Sequence, residues 1–168
     1  MIDFIKGSVS CHGTDFVVID VNGIGYQVFV TNPFQFHIED RATLFTNFIV
    51  REDAQLLYGF PSEEERDLFR LLLEVSGVGP KAGMAILSGG EPSQFVHAVQ
   101  TEDISLLTRF PGIGKKTAQR IVLDLRDKLK NWGAIADKQD MTPPVEAHRD
   151  VIDALIGLGY NEREAKEA

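Results

Sequence analysis

The chain has 168 residues, of which 43% are apolar and 25% charged, and its formal net charge is −8. This composition excludes a disordered or fibrous protein, and no apolar run approaches the ~18 residues needed to span a bilayer. The single cysteine, Cys11, excludes an internal disulfide framework and favours a reducing cytosol. Taken as a uniform value, the negative charge also argues against a partner as anionic as nucleic acid.

The charge is, however, unevenly distributed along the chain. Residues 1–62 carry 3 basic and 7 acidic side chains, residues 63–133 carry 10 of each, and residues 134–168 carry 4 and 8. Within the middle block, residues 106–132 hold 7 basic side chains against only Asp124 and Asp127. This local excess fits an ordinary solvated helix face as well as an anionic partner, and charge alone leaves both open.

Residues 1–60 are predicted to form five short strands. The β-rich runs cover residues 2–10, 16–21, 24–30, 42–50 and 55–60. Asn22-Gly23 lies between the second and third runs, and it is a strong hairpin signal because both residues tolerate a positive φ. Five short strands with no helical pattern predict a small closed barrel.

The hydrophobic period changes at Ser62. Ser62 and Glu65 form a predicted capping box, in which each side chain satisfies a free backbone amide at the start of a helix. Apolar residues at helical spacing then predict this first helix. Further helices are predicted near residues 81–88, 93–100, 102–108 and 115–131. Residues 134–145 lose periodicity and end in two prolines, which predicts a flexible linker.

The chain contains an internal repeat at an offset of 35 residues. Four matches recur in the same order. Leu71-Leu72 matches Leu106-Leu107, and Gly77-Val78-Gly79 matches Gly112-Ile113-Gly114. Lys81 then matches Lys116, and Ile86 matches Ile121. Each copy reads as a helix, an aliphatic residue between two glycines, and a second helix with lysine in its first turn. This pattern predicts a pair of helix-hairpin-helix motifs.

The residue types in the repeat suit phosphate binding. Glycine permits a tight turn and leaves no Cβ to block another molecule, while the free N–H groups of the following helix favour an anion. Two such motifs are predicted to grip phosphates of both DNA strands across the minor groove without reading sequence. The predicted backbone-binding residues are Gly77, Gly79, Lys81, Gly112, Gly114, Lys115, Lys116 and Arg120.

Other functions fit the sequence less well. An ATP-binding loop would need glycine at Arg109 and serine or threonine at Lys116. A DNA glycosylase would need a catalytic Asp or Lys facing a base pocket, and Asp124 and Asp127 are interpreted as surface charges. A repair glycosylase or nuclease built on the same hairpins remains the alternative. A barrel that binds only protein is a third possibility.

Three segments carry a resemblance to a known family: residues 50–60 (VREDAQLLYGF), 77–81 (GVGPK) and 111–118 (PGIGKKTA). On these the chain resembles the RuvA family of Holliday-junction-binding proteins. The resemblance implies a multidomain α+β fold with an OB-fold barrel at 1–62 that forms a tetramer. It further implies a tandem helix-hairpin-helix domain at 63–133, a flexible linker at 134–145 and a C-terminal motor-binding module at 146–168.

The resemblance also implies a function and partners. One or two tetramers hold a four-way junction open and square, the hexameric motor RuvB hydrolyses ATP with Mg²⁺ to drive branch migration, and the nuclease RuvC resolves the junction. The chain itself is expected to be non-enzymatic, to hold no cofactor or metal, and to bind no membrane. Its expected location is the bacterial cytoplasm, at the nucleoid when bound to DNA.

Two further sets of residues take roles from the resemblance. Glu52 and Asp53 match an acidic pin at the junction centre; the alternatives are a simple charged β-turn or, less well supported, a two-metal nuclease site. The expected motor contacts are Leu155, Leu158 and Tyr160, which alternatively form the core of their own module. Because the family module has three helices and this chain stops within the second, junction binding is expected intact and motor coupling impaired.

Overall fold

The computed structural model of the protein describes residues 1–130 and Trp132. Its first half contains five strands: β1 (Phe4–His12), β2 (Phe16–Val21), β3 (Ile24–Phe29), β4 (Arg41–Val50) and β5 (Gln55–Phe60). They close into a barrel in the order β1-β2-β3-β5-β4. All neighbouring pairs are antiparallel except β3 and β5, which join in parallel at Phe29 and Tyr58 and so close the barrel. The predicted five-stranded, OB-like barrel is confirmed.

The predicted hairpin at Asn22-Gly23 is also confirmed. Val21 pairs with Ile24, so the loop has two residues, and the φ angles of Asn22 and Gly23 are 54° and 89°. Two successive positive φ values match the right-handed twist of the flanking strands, which explains the residue choice. The Gly23 amide also donates to the Asp20 carboxylate at 2.9 Å.

The second half of the described chain contains five helices: α1 (Glu63–Glu74), α2 (Pro80–Ser88), α3 (Pro92–Gln100), α4 (Ile104–Leu107) and α5 (Lys115–Leu129). The helix predicted near residues 102–108 is thus only one turn long. Asp103 sets its start, because its carboxylate accepts from the Leu106 amide at 2.9 Å. Among the described residues, no helix is both long and apolar enough to cross a bilayer.

Only half of the predicted capping box is seen at the start of α1. The Ser62 hydroxyl accepts from the Glu65 amide at 3.2 Å, as expected. The Glu65 carboxyl does not behave like a capping anion: burial raises its pKa, and Glu91 and Glu64 raise it further. The predicted reciprocal bond from Glu65 is absent from the hydrogen bonds of residues 1–130.

Helix α1 is joined to the barrel by aromatic packing and by two arginines. The Phe69 ring lies 4.9 Å from that of Phe60 and 5.3 Å from that of Tyr58. Arg66 is only 6% exposed and approaches the Asp3 carboxylate at 3.3 Å without an aligned hydrogen bond. Arg70 contacts the same carboxylate at 3.4 Å. These contacts fix the start of the helical region on the barrel.

The predicted linker at residues 134–145 and the predicted C-terminal module at 146–168 lie outside the described residues. The same is true of the expected motor contacts Leu155, Leu158 and Tyr160.

Candidate nucleic-acid interface

The first glycine turn connects α1 to α2. The Val78 amide donates to the Val75 carbonyl at 3.0 Å, which closes a four-residue turn, and Gly77 adopts a φ of +91° at its third position. Residues other than glycine rarely adopt this φ, because their Cβ crowds the neighbouring carbonyl. Gly77 is therefore required by the backbone of the turn.

The second glycine turn repeats this geometry between α4 and α5. The Ile113 amide donates to the Phe110 carbonyl at 3.2 Å, and Gly112 has a φ of +78°. Pro111 occupies the second position, where its fixed φ favours a turn of this type. The internal repeat in the sequence thus corresponds to two turns of the same backbone conformation.

The aliphatic residue of each turn holds it in place. Val78 and Ile113 are 6% and 5% exposed, so each is almost completely buried. Val75 and Phe110, which begin the turns, are also buried, whereas the four glycines Gly77, Gly79, Gly112 and Gly114 are exposed. A buried anchor with an exposed glycine on each side presents the backbone of the turn to the outside.

Gly79 and Gly114 stand directly before α2 and α5. Their φ angles are −95° and −87°, which any residue can adopt, and a Cβ added to either would meet nothing within 4 Å. Neither backbone conformation nor internal packing therefore requires glycine at these two positions. No side chain caps either helix, so the first amides stay available at the positive end of each dipole. The arrangement leaves room for an external anion to approach these amides closely.

The basic side chains near the turns differ in their pairing. Within residues 1–130, Arg126 pairs with Glu102, Lys128 with Glu74, and Lys130 with Asp127. None of the ion pairs in this part of the chain involves Lys81, Lys115 or Lys116, which are exposed in the first turn of their helices. The positive charge that is free to meet phosphate is thus concentrated beside the glycine turns.

Arg120 connects the two motifs. It lies on α5, yet its Nη1 donates to the Ser76 carbonyl at 3.0 Å and contacts the Ser76 hydroxyl at 3.3 Å. Part of this guanidinium therefore supports the first turn, a role that the sequence did not indicate. The contact spans 44 positions, and no local pattern marks Ser76 as a partner.

Glu52 and Asp53 form the exposed tip of the β4–β5 hairpin. The Arg51 amide donates to the Ala54 carbonyl at 2.8 Å and closes this loop. Within residues 1–130, the ion pairs involve neither carboxylate. The structure thus places the predicted pin on the barrel, on a separate element from the two glycine turns. Whether it acts on DNA stays a prediction.

A closed five-stranded barrel followed by two matching glycine turns between helices defines the class of protein: a barrel protein with a tandem helix-hairpin-helix motif. A family model described as the RuvA N terminal domain matches residues 1–59, and one described as a SAM-like helix-hairpin-helix tandem matches residues 69–127. The chain belongs to the RuvA family.

Its relatives align over nearly the whole chain. A protein from Brevibacillus brevis named Holliday junction branch migration complex subunit RuvA is 49% identical over 99% of this chain and 86% of its own length. Proteins of the same name from Idiomarina loihiensis and Pseudomonas syringae are each 43% identical over 100% of this chain and 89% of their own length. The resemblance identified in the sequence is therefore confirmed.

Proposed function

We propose that this protein binds four-way DNA junctions through their phosphate backbones and acts as the DNA-binding subunit of a branch-migration complex. The main support is the pair of matching turns. In each, a glycine with free space around it precedes a helix without a side-chain cap, and the first turn of that helix carries an unpaired lysine. Phosphate fits such a site because it receives both amide hydrogen bonds and point charge. The names of the relatives supply the junction as the DNA form.

Two backbone-binding turns explain affinity for DNA but not a preference for junctions. The proposed preference comes from a tetramer, in which four barrels bring Glu52 and Asp53 of each copy to the crossover. Exposed carboxylates without a neutralising ion pair repel phosphate, and this repulsion favours an open, square junction over a stacked one. The exposure of this acidic loop supports the proposal.

The protein is proposed to need partners for chemistry. A hexameric ATPase of the RuvB type supplies ATP hydrolysis with Mg²⁺, and a RuvC-type nuclease resolves the junction. The chain holds no cofactor in this proposal, and it works in the bacterial cytoplasm, at the nucleoid when DNA-bound. A labelled junction incubated with Mg²⁺ and this protein alone is expected to stay intact; cleavage would instead support a repair nuclease.

The main experiment compares the salt dependence of junction binding for two double variants. Lys115→Ala with Lys116→Ala removes two unpaired cations, so the slope of log K against log salt is expected to fall by about 1.8. Lys128→Ala with Lys130→Ala makes the same charge change at the C-terminal end of α5, but removes cations already paired with Glu74 and Asp127. The slope of this control is expected to change by less than about 0.5.

A gel-shift titration at several salt concentrations measures both slopes. Equal changes in the two variants would show that binding depends on the overall charge of α5 rather than on the glycine turn. Circular dichroism of each variant verifies that the fold is retained.

The acidic loop gives a second, independent test. Glu52→Ala with Asp53→Ala is expected to keep or raise affinity for both junction and duplex while lowering the ratio of the two by about tenfold, because a duplex lying across the tetramer centre is no longer repelled. The measurement is a competition titration of labelled junction against unlabelled duplex. A parallel loss of affinity for both DNAs would contradict a repulsive role for the loop.

A further inference from the structure

A cavity of about 580 Å³ opens between the barrel and the first helix-hairpin-helix motif. Its walls come from β3, β5, α2 and the β1–β2 loop. The lining is mainly apolar, with polar groups at a few points; it includes Phe29, Leu56, Tyr58, Met84, Asp15 and Lys81. A cavity of this size and composition is typical of sites that bind small, flat, largely apolar groups.

Tyr58 is the unusual residue in this lining. It is only 7% exposed, and its ring packs between Phe29 at 5.6 Å and Phe69 at 5.3 Å. Its hydroxyl is not a sealed, unpartnered polar atom, since among residues 1–130 only Arg66 Nη1 is fully buried without a hydrogen-bond partner, and Tyr58 lines the cavity. Burial raises the pKa of this phenol, Arg51 opposes the rise and Asp15 adds to it. The Tyr58 ring is therefore fixed between two aromatic neighbours in the wall of the cavity, where its hydroxyl can meet a bound group.

The position of the cavity indicates what kind of group it could hold. Lys81 lines the cavity and is also the unpaired cation of the first glycine turn. Arg51, which acts on Tyr58, directly precedes Glu52 and Asp53 in the β4–β5 loop. The cavity thus borders the proposed phosphate site at Lys81, and its wall residue Leu56 lies three positions after Asp53, on the strand that leaves the loop proposed for the junction centre. A group attached to a phosphate chain, flat and with a polar edge, matches these surroundings.

We propose that this cavity receives an unpaired nucleobase displaced near the junction crossover. The base packs against the aromatic rings and Met84, its polar edge meets the Tyr58 hydroxyl and the Asp15 carboxylate, and its phosphate contacts Lys81. Packing of this kind tolerates every base, so it does not conflict with sequence-independent binding. The inference rests on the proposed junction binding and adds a role for the barrel-facing side of the first motif.

The test uses two junctions that differ by one mismatch beside the crossover. Unpairing a base costs free energy, and a mismatch removes most of that cost before the protein binds. The unaltered protein is therefore expected to bind the mismatched junction about tenfold more tightly than the paired one. Met84→Trp fills the cavity and is expected to reduce this ratio to about one, while Met84→Leu keeps the volume and the ratio.

The outcomes separate the two proposals. If the unaltered protein binds neither junction, the proposed function fails. If the unaltered protein binds both junctions and Met84→Trp gives the same ratio of mismatched to paired affinity, the cavity does not hold a base and the inference is overturned. Leu56→Trp fills the cavity from the opposite wall and replaces Met84→Trp if that variant does not fold.

A photochemical cross-link gives direct evidence. A 5-iodouracil placed beside the crossover is expected to cross-link to Phe29, Tyr58 or Met84, and the same base in the middle of an arm is not. Cross-links found only on Glu52 and Asp53 would overturn the inference. The absence of any cross-link would overturn it too, because it would mean that no base enters the cavity, as when a neighbouring copy fills it. Mass spectrometry of the digested adduct identifies the residue.

Discussion

The turn at Gly77–Gly79 is followed by Pro80 and one lysine, whereas the turn at Gly112–Gly114 is followed by Lys115 and Lys116. Their backbones nevertheless match, with φ angles of +91° and +78° at the third position and a buried aliphatic residue at the fourth. The two motifs therefore share the turn geometry, but they differ in the point charge beside it and by one backbone amide, because Pro80 has no N–H and Lys115 has one. If the proposed function holds, we expect the shared backbone amides to contribute to binding at both turns and the lysines to make the second turn the stronger site.

Each turn is also supported by the other motif. Arg120 on α5 donates to Ser76 in the first turn. Conversely, Gly89 at the end of α2 lies so close to the second turn that a Cβ there would stand 2.4 Å from Pro111 Cδ. Because the supports are reciprocal, we expect the separation of the two phosphate sites to be fixed before DNA binds, which lowers the entropic cost of binding.

The largest expected effects distinguish the two glycines within each turn. Gly112→Ala places a Cβ at a φ of +78° and is expected to destabilise the fold by about 1–2 kcal/mol. Gly114→Ala has an allowed φ and open space, so the poorer N-cap is partly offset by the less flexible unfolded chain; we expect a cost below about 1 kcal/mol and junction binding weaker by about tenfold. Urea unfolding and a gel shift measure the two quantities.

The matched pair in the first turn repeats the test. Gly77→Ala is expected to behave like Gly112→Ala, and Gly79→Ala like Gly114→Ala. If Gly79→Ala and Gly114→Ala bound DNA normally, the open surface above these residues would not be where the phosphate lies.

Lys81 tests the difference in charge between the turns. It has no ion pair among the described residues, so Lys81→Ala is expected to lower the salt slope by about 0.9, half the effect of removing Lys115 and Lys116 together. The measurement is the same salt titration with a four-way junction. Arg109→Ala, an exposed cation just before the second turn, serves as the comparison of equal charge. If Lys81→Ala changed the slope as much as Lys115→Ala with Lys116→Ala does, the first turn would contribute more charge than its single lysine supplies.

The sequence predicted much of this architecture because its signals are local. The Asn22-Gly23 hairpin, the Ser62 cap and the two glycine turns each depend on residues within a few positions of one another. The positive stretch at residues 106–132 was harder to interpret, because its C-terminal cations pair with Glu74 and Glu102, which lie 54 and 24 positions away. Likewise, the Tyr58 cavity forms only when barrel and helix meet, and no spacing in the chain indicates it.

The smallest expected effect concerns the bridge between the motifs. Arg120→Lys keeps the positive charge but cannot reproduce the hydrogen bonds of the guanidinium with Ser76. We expect junction affinity to fall about threefold with an unchanged salt slope, because the loss is one of positioning and not of phosphate contact.

Arg120→Ala should lose affinity further and also lower the slope by about 0.9 if the remaining donors bind phosphate, as the sequence predicts. Gln119→Ala, the exposed neighbour, is the control. Normal affinity in Arg120→Lys would show that the first turn keeps its position without this bridge, and Arg120 would then act through charge alone.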